Sequence, residues 1–328
     1  MSQTPRVVLK LVLAFFFLLA FKNSQEIVKV NFEQSMGIDN YPQYKLMLRG
    51  RDSLQILNFY KNMFEKNLDT AYSETTKVPK IIHHIWVGSK PIPELYRKYA
   101  EQCRKVNPEW EYKLWTEKEI FSENFDPRYM KLFEDMGYRY SGKKDIVEYL
   151  LLHRYGGIVM DMDFECIKPF NILSHRYDFF ASLEPGVYWS KIPVMSNAII
   201  GSVPDNKIFL ETLDMAIKIN DKNNAKFNSG ARLLFRKIKS LYNNKPPIKV
   251  SDSREIFMQS FASKFRESSG FYKAPIVFPA TYFNPIFPDQ YKKYDFLDKL
   301  RVWGGFEKGD NYFTQIRLET IAVQDFYD

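Results

Sequence analysis

The chain has 328 residues, 45% hydrophobic and 16% aromatic, with 47 Lys and Arg against 39 Asp and Glu for a net charge of +8. That supplies ample core material for one large α/β domain with additions. The basic residues are scattered rather than clustered, so they read as a solvated surface and not as a nucleic-acid-binding patch. The two cysteines, Cys103 and Cys166, are too few for a disulfide scaffold. They are expected as separate buried thiols, with pairing in an oxidising lumen as the alternative. His83, His84, His153 and His175 lack the spacing of a zinc site. No Asn-x-Ser/Thr acceptor with a permitted middle residue occurs, which argues against a eukaryotic secretory enzyme that depends on N-glycans.

Val7–Phe21 is apolar apart from Lys10 and follows Arg6. It is shorter than the ~20 residues that cross a typical bilayer. A signal anchor with its basic end in the cytosol, a cleaved signal peptide and an internal or interfacial helix all compete for it. Residues 1–22 are therefore assigned as a signal anchor or signal peptide. Residues 23–77 are assigned as a helical stem or added layer, with a helical stretch from about Tyr44 to Leu68, and residues 78–328 as the main domain.

Val78-Pro79-Lys80 opens that domain. Ile81–Gly88 is a run of β-formers ended by a glycine, the first central strand, with Trp86 and Val87 at its end. His83 and His84 alternate to opposite faces; one is expected to be buried and hydrogen-bonded, and neither is a catalytic candidate. A helix is predicted from Pro93 to Val106. A turn at 107–110, a second strand Tyr112–Trp115, a capping box at Thr116 to Glu119 and a helix from Asp126-Pro127 to about Met136 follow.

Tyr140–Phe170 is the block around which the domain is organised. Ile146, Val147, Leu150, Leu151 and Tyr155 recur at roughly helical spacing. Gly156-Gly157 stops the helix, because glycine takes positive φ cheaply. Ile158-Val159-Met160 is then a short buried strand ending in Asp161-Met162-Asp163 at the sheet edge. Two carboxylates one residue apart cannot both face an apolar core unpaired. A divalent cation, Mn²⁺ or Mg²⁺, would hold them together and grip a diphosphate in turn. Open α/β sheets place ligands at the carboxyl ends of their strands, where this pair sits.

Lys144-Asp145, ten residues, Gly156-Gly157, three residues and Asp161-Met162-Asp163 together resemble the signature of the family 32 glycosyltransferases with a DXD sugar-binding region. The opening Pro79-Lys80-Ile81-Ile82-His83 with Trp86 and Gly88 is similar to that family's as well. The resemblance implies a glycosyltransferase-A-type, Rossmann-like mixed sheet flanked by helices. It also implies retaining, metal-dependent transfer of a hexose from a nucleotide-diphosphate sugar, GDP-mannose or a UDP-hexose, to a glycan or lipid acceptor. It makes Asp161 and Asp163 the metal ligands, Asp145 a contact to donor ribose or sugar, Trp86 with Val87 the base-binding residues, and Asn197 a sugar-hydroxyl contact. For Trp86 a core aromatic is the competing reading, and for Asn197 a strand-end residue bonding its own backbone. It also favours a single-pass type II membrane protein with a lumenal domain.

Departures accompany the match. Glu148 stands where the family has arginine, a reversal of charge, and Val159 where tyrosine is frequent. The family's C-terminal histidine is missing from Arg301–Phe306, and Trp303, Glu307, Asp310 or Asn311 are the stand-ins. A non-catalytic membrane-anchored scaffold with the same fold is the alternative. Further strands are predicted at Asp178–Leu183 and Asn197–Ser202. Helices are predicted at Asp205–Ile219, Ser229–Ser240, Ser251–Phe265 and Ile316–Tyr327, with an irregular aromatic stretch from Pro275 to Pro288.

Overall fold

The computed structural model describes residues 27, 31–36, 51–138, 140–183, 195–223, 273–283 and 314–316. The apolar segment 7–21 and the helices expected over 229–240 and 251–265 lie outside them. Strands β1 (Ile81–Ile85), β2 (Glu111–Trp115), β3 (Gly157–Met160), β5 (Phe179–Leu183), β6 (Met195–Ser202) and β7 (Pro275–Phe278) form one six-stranded sheet. Its order is β2-β1-β3-β6-β5-β7. β1 runs parallel to β2 and β3, and β5 parallel to β7, while β6 is antiparallel to both of its neighbours. This is the mixed α/β sheet with flanking helices that the sequence predicts. β4 (Phe164–Cys166) pairs with β8 (Thr314–Ile316) in a separate antiparallel ribbon.

The helices are α1 (Phe32–Ser35), α2 (Arg51–Asn67), α3 (Glu94–Val106), α4 (Glu117–Ser122), α5 (Pro127–Asp135), α6 (Tyr140–Tyr155), α7 (Asn171–Arg176) and α8 (Lys207–Asn223). Their starts follow the expected chemistry. Asp126 caps α5 with Pro127 in its first turn, and Thr116 and Glu119 close a capping box on α4. Pro93 is the N-cap of α3, so the helix begins one residue later than predicted, at Glu94.

Alternation along β1 divides the two faces. His83 lies on the α6 side, where it meets Gly156 and Trp115. His84 lies on the α3 side against Tyr112, and Arg104 of α3 stacks over that tyrosine ring. At the far edge, Phe64 of α2 packs edge-on against Phe278 of β7 and Tyr282, so α2 closes the core there.

Three expectations are corrected. Pro275–Phe278 is not irregular but the edge strand β7. Pro275 opens it, where a missing N–H costs no ladder bond, and the Asp178 carboxylate accepts the backbone N–H groups of Lys273 and Ala274 just before it. Ile316 is the last residue of β8 and not the start of a helix. Its pairing partner, Phe164, is distant in sequence, and local propensity does not see it. Cys103 and Cys166 are not separate thiols but a disulfide, with their Cα atoms 4.8 Å apart. It ties α3 to β4, three residues beyond Asp163. A count of two says nothing about proximity; α3 packing against β4 supplies it.

A cross-link closing a loop of 63 residues contributes roughly 2–4 kcal/mol by restricting the unfolded chain. Cys103→Ser/Cys166→Ser is therefore expected to lower urea-unfolding stability by about that amount. Peptide mapping of the unreduced chain should recover one Cys103–Cys166 linked fragment. Two unlinked peptides from protein made in an oxidising compartment would contradict the pairing.

Candidate functional site

The site forms because two elements of unequal rise are matched in length. From Asp145 to Gly156, α6 covers eleven residues, roughly 16 Å at 1.5 Å per residue. From Gly157 back to Met162, β3 and its exit cover five, also roughly 16 Å at 3.3 Å each. The glycine pair between them reverses the chain. Gly156 has φ +62° and Gly157 φ +86°, and a Cβ on Gly157 would lie 2.7 Å from the Ile81 carbonyl oxygen. Asp145 and the acidic triplet, far apart in sequence, are thereby delivered to the same edge, beyond the carboxyl ends of β1 and β3.

The triplet leaves the sheet in a turn. The Asp161 N–H donates to the Ala198 carbonyl at 2.9 Å, and the Phe164 N–H donates to the Asp161 carbonyl at 3.3 Å. Strand alternation sends Asp161 to the α6 side and Met162 to the α3 side. Met162 there packs with Tyr96, Tyr99 and Ala100, and Trp86 borders the same cluster. That packing explains an apolar middle residue between two acids. Asp161 is half-buried, and Asp163 is only 7% exposed.

Lys144 reaches from α6 into this corner. Its Nζ lies 2.5 Å from Asp161 Oδ1 and 2.7 Å from Glu148 Oε1. Burial pushes the Glu148 carboxyl well above the usual carboxylate range. Burial also works against the charge on Lys144, but the carboxylates of Asp161, Glu148 and Asp145 outweigh it and hold the ammonium well above its ordinary pKa. Asp145 accepts a hydrogen bond from Asn197 Nδ2 at 2.9 Å, and Asn197 also pairs with the buried Tyr149 hydroxyl. Asn197 thus bonds α6 side chains and not its own backbone. It lies where β6 has a register irregularity between its pairings with Ala181 and Leu183, and such bulges re-aim side chains.

The structure therefore brings Asp145, Asp161, Asp163 and Asn197 to one edge. Trp86 sits across Met162, half-buried, its Nε1–H donating to the Lys90 carbonyl at 2.8 Å and its ring meeting the Tyr96 ring edge-on. Val87 packs against the main core. Asp161 and Asp163 present hard oxygen donors of the kind Mg²⁺ and Mn²⁺ take, and the Lys144 ammonium occupies one of them, Asp161. Among the described residues no third His, Cys, Asp or Glu joins them. The stand-ins Trp303, Glu307, Asp310 and Asn311 lie outside the described residues. Lys144, Glu148 and Tyr149 complete the constellation. For Lys144 and Glu148 the available signal was the four-residue spacing of opposite charges on a helix facing an acidic triplet.

A model of the glycosyltransferase sugar-binding region containing the DXD motif matches residues 93–180, the span from α3 through the triplet to β5. An uncharacterized glycosyltransferase of Acanthamoeba polyphaga mimivirus, L373, is 31% identical over 180 residues, covering 53% of this chain and 70% of the viral protein. The chain belongs to this glycosyltransferase family. Inositol phosphoceramide mannosyltransferase 1 of Schizosaccharomyces pombe is 30% identical over 160 residues, 47% of each chain. Mannosyl phosphorylinositol ceramide synthase SUR1 of Saccharomyces cerevisiae is 31% identical over 149 residues, 44% of this chain and 36% of the yeast protein. The chain thus spans less than half the length of these two fungal relatives. Among solved structures, the PaToxG glycosyltransferase superposes with a TM-score of 0.44 at 19% identity, covering 61% of this chain and 80% of that one.

Both β1 histidines are wholly buried, although one was expected. Trp115 Nε1–H donates to His83 Nδ1 at 3.0 Å, which leaves His83 Nε2 to donate to the Gly156 carbonyl at 2.9 Å. Burial lowers the His83 pKa to about 4 and that of His84 to about 3, the latter helped by Arg104. Both are neutral framework groups. An unfolded histidine titrates near 6.5, so between pH 6.5 and 4 the unfolded chain binds more protons and stability falls on acidification. Urea unfolding should show a loss of about 1–2 kcal/mol per histidine between pH 7 and 5. The slope should be shallower in His84→Gln; an unchanged slope would contradict a buried neutral His84.

Proposed function

We propose that the chain transfers a hexose, with retention of anomeric configuration, from a nucleotide-diphosphate sugar to a glycan or lipid acceptor. The observation that carries this reading is the gathering of Asp161 and Asp145 around Lys144, with Asn197 on Asp145, at the carboxyl edge of the sheet where the acidic triplet emerges. Mannose is the favoured hexose, which puts GDP-mannose first among the expected donors, and an inositol phosphoceramide is the favoured acceptor class, mannose and acceptor on the names of the fungal relatives. A UDP-hexose and a glycan remain the second choices.

Asp161 and Asp163 would hold Mn²⁺ or Mg²⁺, which supplies charge neutralisation of the departing diphosphate. Asp145, fixed by Asn197, orients a donor hydroxyl and limits the sugar to one pose. The Trp86 ring, restrained through Lys90 and Tyr96, offers a π face to the base. With the leaving phosphate oxygen accepting the acceptor's proton, no protein nucleophile is required.

The Cys103–Cys166 bridge supports an oxidising compartment, in keeping with a lumenal domain carried by an N-terminal signal anchor or released after signal cleavage. No helix among the described residues is long and apolar enough to cross a membrane. The second reading, a non-catalytic scaffold, draws on the ammonium already seated on Asp161. It requires that nucleotide binding not depend on metal.

Asp163→Asn should cut Mn²⁺-dependent turnover of the donor by at least ~100-fold while thermal unfolding stays near that of the unaltered chain. Asp161→Asn should be nearly as damaging. Undiminished Mn²⁺-dependent turnover in Asp163→Asn would sink the assignment.

A further inference from the structure

Lys144 is not an ordinary surface lysine. Its Nζ bridges two carboxylates of different character. Glu148 is sealed, its side chain 1% exposed, while Asp161 is 28% exposed. An ammonium carries three N–H donors on a flexible stem. Its charge lies within ion-pairing distance of both Glu148 and Asp161, and its donors can also be turned to a ligand oxygen. Glu148 cannot follow the ligand, because it is locked into the packed face of α6. The 2.7 Å contact to a side chain that cannot move keeps the ammonium in the site whatever happens at Asp161.

We propose that Lys144 is the resident cation of the donor site. With the site empty it neutralises Asp161 and holds back a divalent ion. With a nucleoside diphosphate present it turns its charge onto the phosphate oxygens while Glu148 retains it. Metal and nucleotide thereby bind cooperatively: a divalent ion alone meets an ammonium on Asp161, and a nucleotide relieves that repulsion by drawing the ammonium to itself. Glu148 is a positioning residue in this scheme, acting through Lys144. The inference rests on the reading of Asp161 and Asp163 as metal holders.

The test is calorimetry on the full chain with three titrants: Mn²⁺ alone, GDP and UDP alone, and each nucleotide in saturating Mn²⁺. Lys144→Met should bind Mn²⁺ alone about tenfold more tightly, because a full positive charge beside the ligand oxygen is gone. The same variant should bind nucleotide in Mn²⁺ about tenfold more weakly. The shift of the two ligands in opposite directions is the signature; a lysine that only braces the fold would move neither or weaken both. Lys144→Met leaves Glu148 uncompensated, so Lys144→Met/Glu148→Gln is run beside it. This neutral pair of similar shape should bind Mn²⁺ no more weakly than the unaltered chain and still lose nucleotide affinity. Unchanged or weaker Mn²⁺ binding in both variants would overturn the role of Lys144. If Asp163→Asn binds Mn²⁺ as well as the unaltered chain does, the metal reading itself fails and this inference falls with it.

Discussion

The reversal at Gly156-Gly157 is the constraint on which the site depends. Both residues hold positive φ, and both backbones are pressed against neighbours. A Cβ on Gly156 would come within 2.7 Å of the Ser202 carbonyl oxygen and the Pro204 nitrogen, and one on Gly157 equally close to the Ile81 carbonyl oxygen. No side chain fits there, and an L-residue would also pay for the left-handed conformation. The tight reversal lets α6 lie back along β3 with its own Asp145 abreast of Asp161. His83 reads the same turn from the neighbouring strand by donating to the Gly156 carbonyl. The buried, neutral His83–Trp115 pair, the glycine turn and the acidic edge therefore form one connected piece of framework.

Charge distribution follows from that framework. Alternation along β3 points Asp161 at α6 and Met162 at α3, so one strand end serves two layers. The acids gather where the sheet ends, because the interior beside them is filled by Ile146, Val147, Leu150 and Leu151 and offers an unpaired carboxylate nothing. Lys144 is the response of this sequence to that concentration of negative charge. Glu148 is intelligible in the same terms. A positive charge one helical turn earlier, at Lys144, allows a carboxylate at 148 and requires one to hold the ammonium. The Cys103–Cys166 bridge braces the opposite side, anchoring the strand just beyond Asp163 to α3.

The central block was legible in the sequence because its information is local. A helical period, a glycine pair, a short β run and an acidic triplet each specify one element, and their spacing specifies how the elements meet. The capping box at Thr116 and the cap at Asp126 were legible for the same reason. What escaped depends on residues distant in the chain. The edge strand at Pro275 exists because β5 lies beside it. The disulfide exists because α3 packs on β4, and Ile316 is a strand residue because Phe164 waits for it. The Asp145–Asn197 bond depends on an irregularity in β6 that no residue pattern announces. Lys144 was visible as a letter beside Asp145, but its bridge to Asp161 required the α6–β3 register.

The most direct measurement of the central claim is incubation of the purified chain with a panel of GDP- and UDP-sugars, with and without Mn²⁺, scoring the nucleotide released. Metal-dependent release from one donor, with GDP-mannose first in line, is what a hexosyl-transfer site at Asp161 and Asp163 predicts. Silence across the panel, together with no metal-dependent nucleotide binding, would contradict it and leave a glycosyltransferase fold that has given up its chemistry.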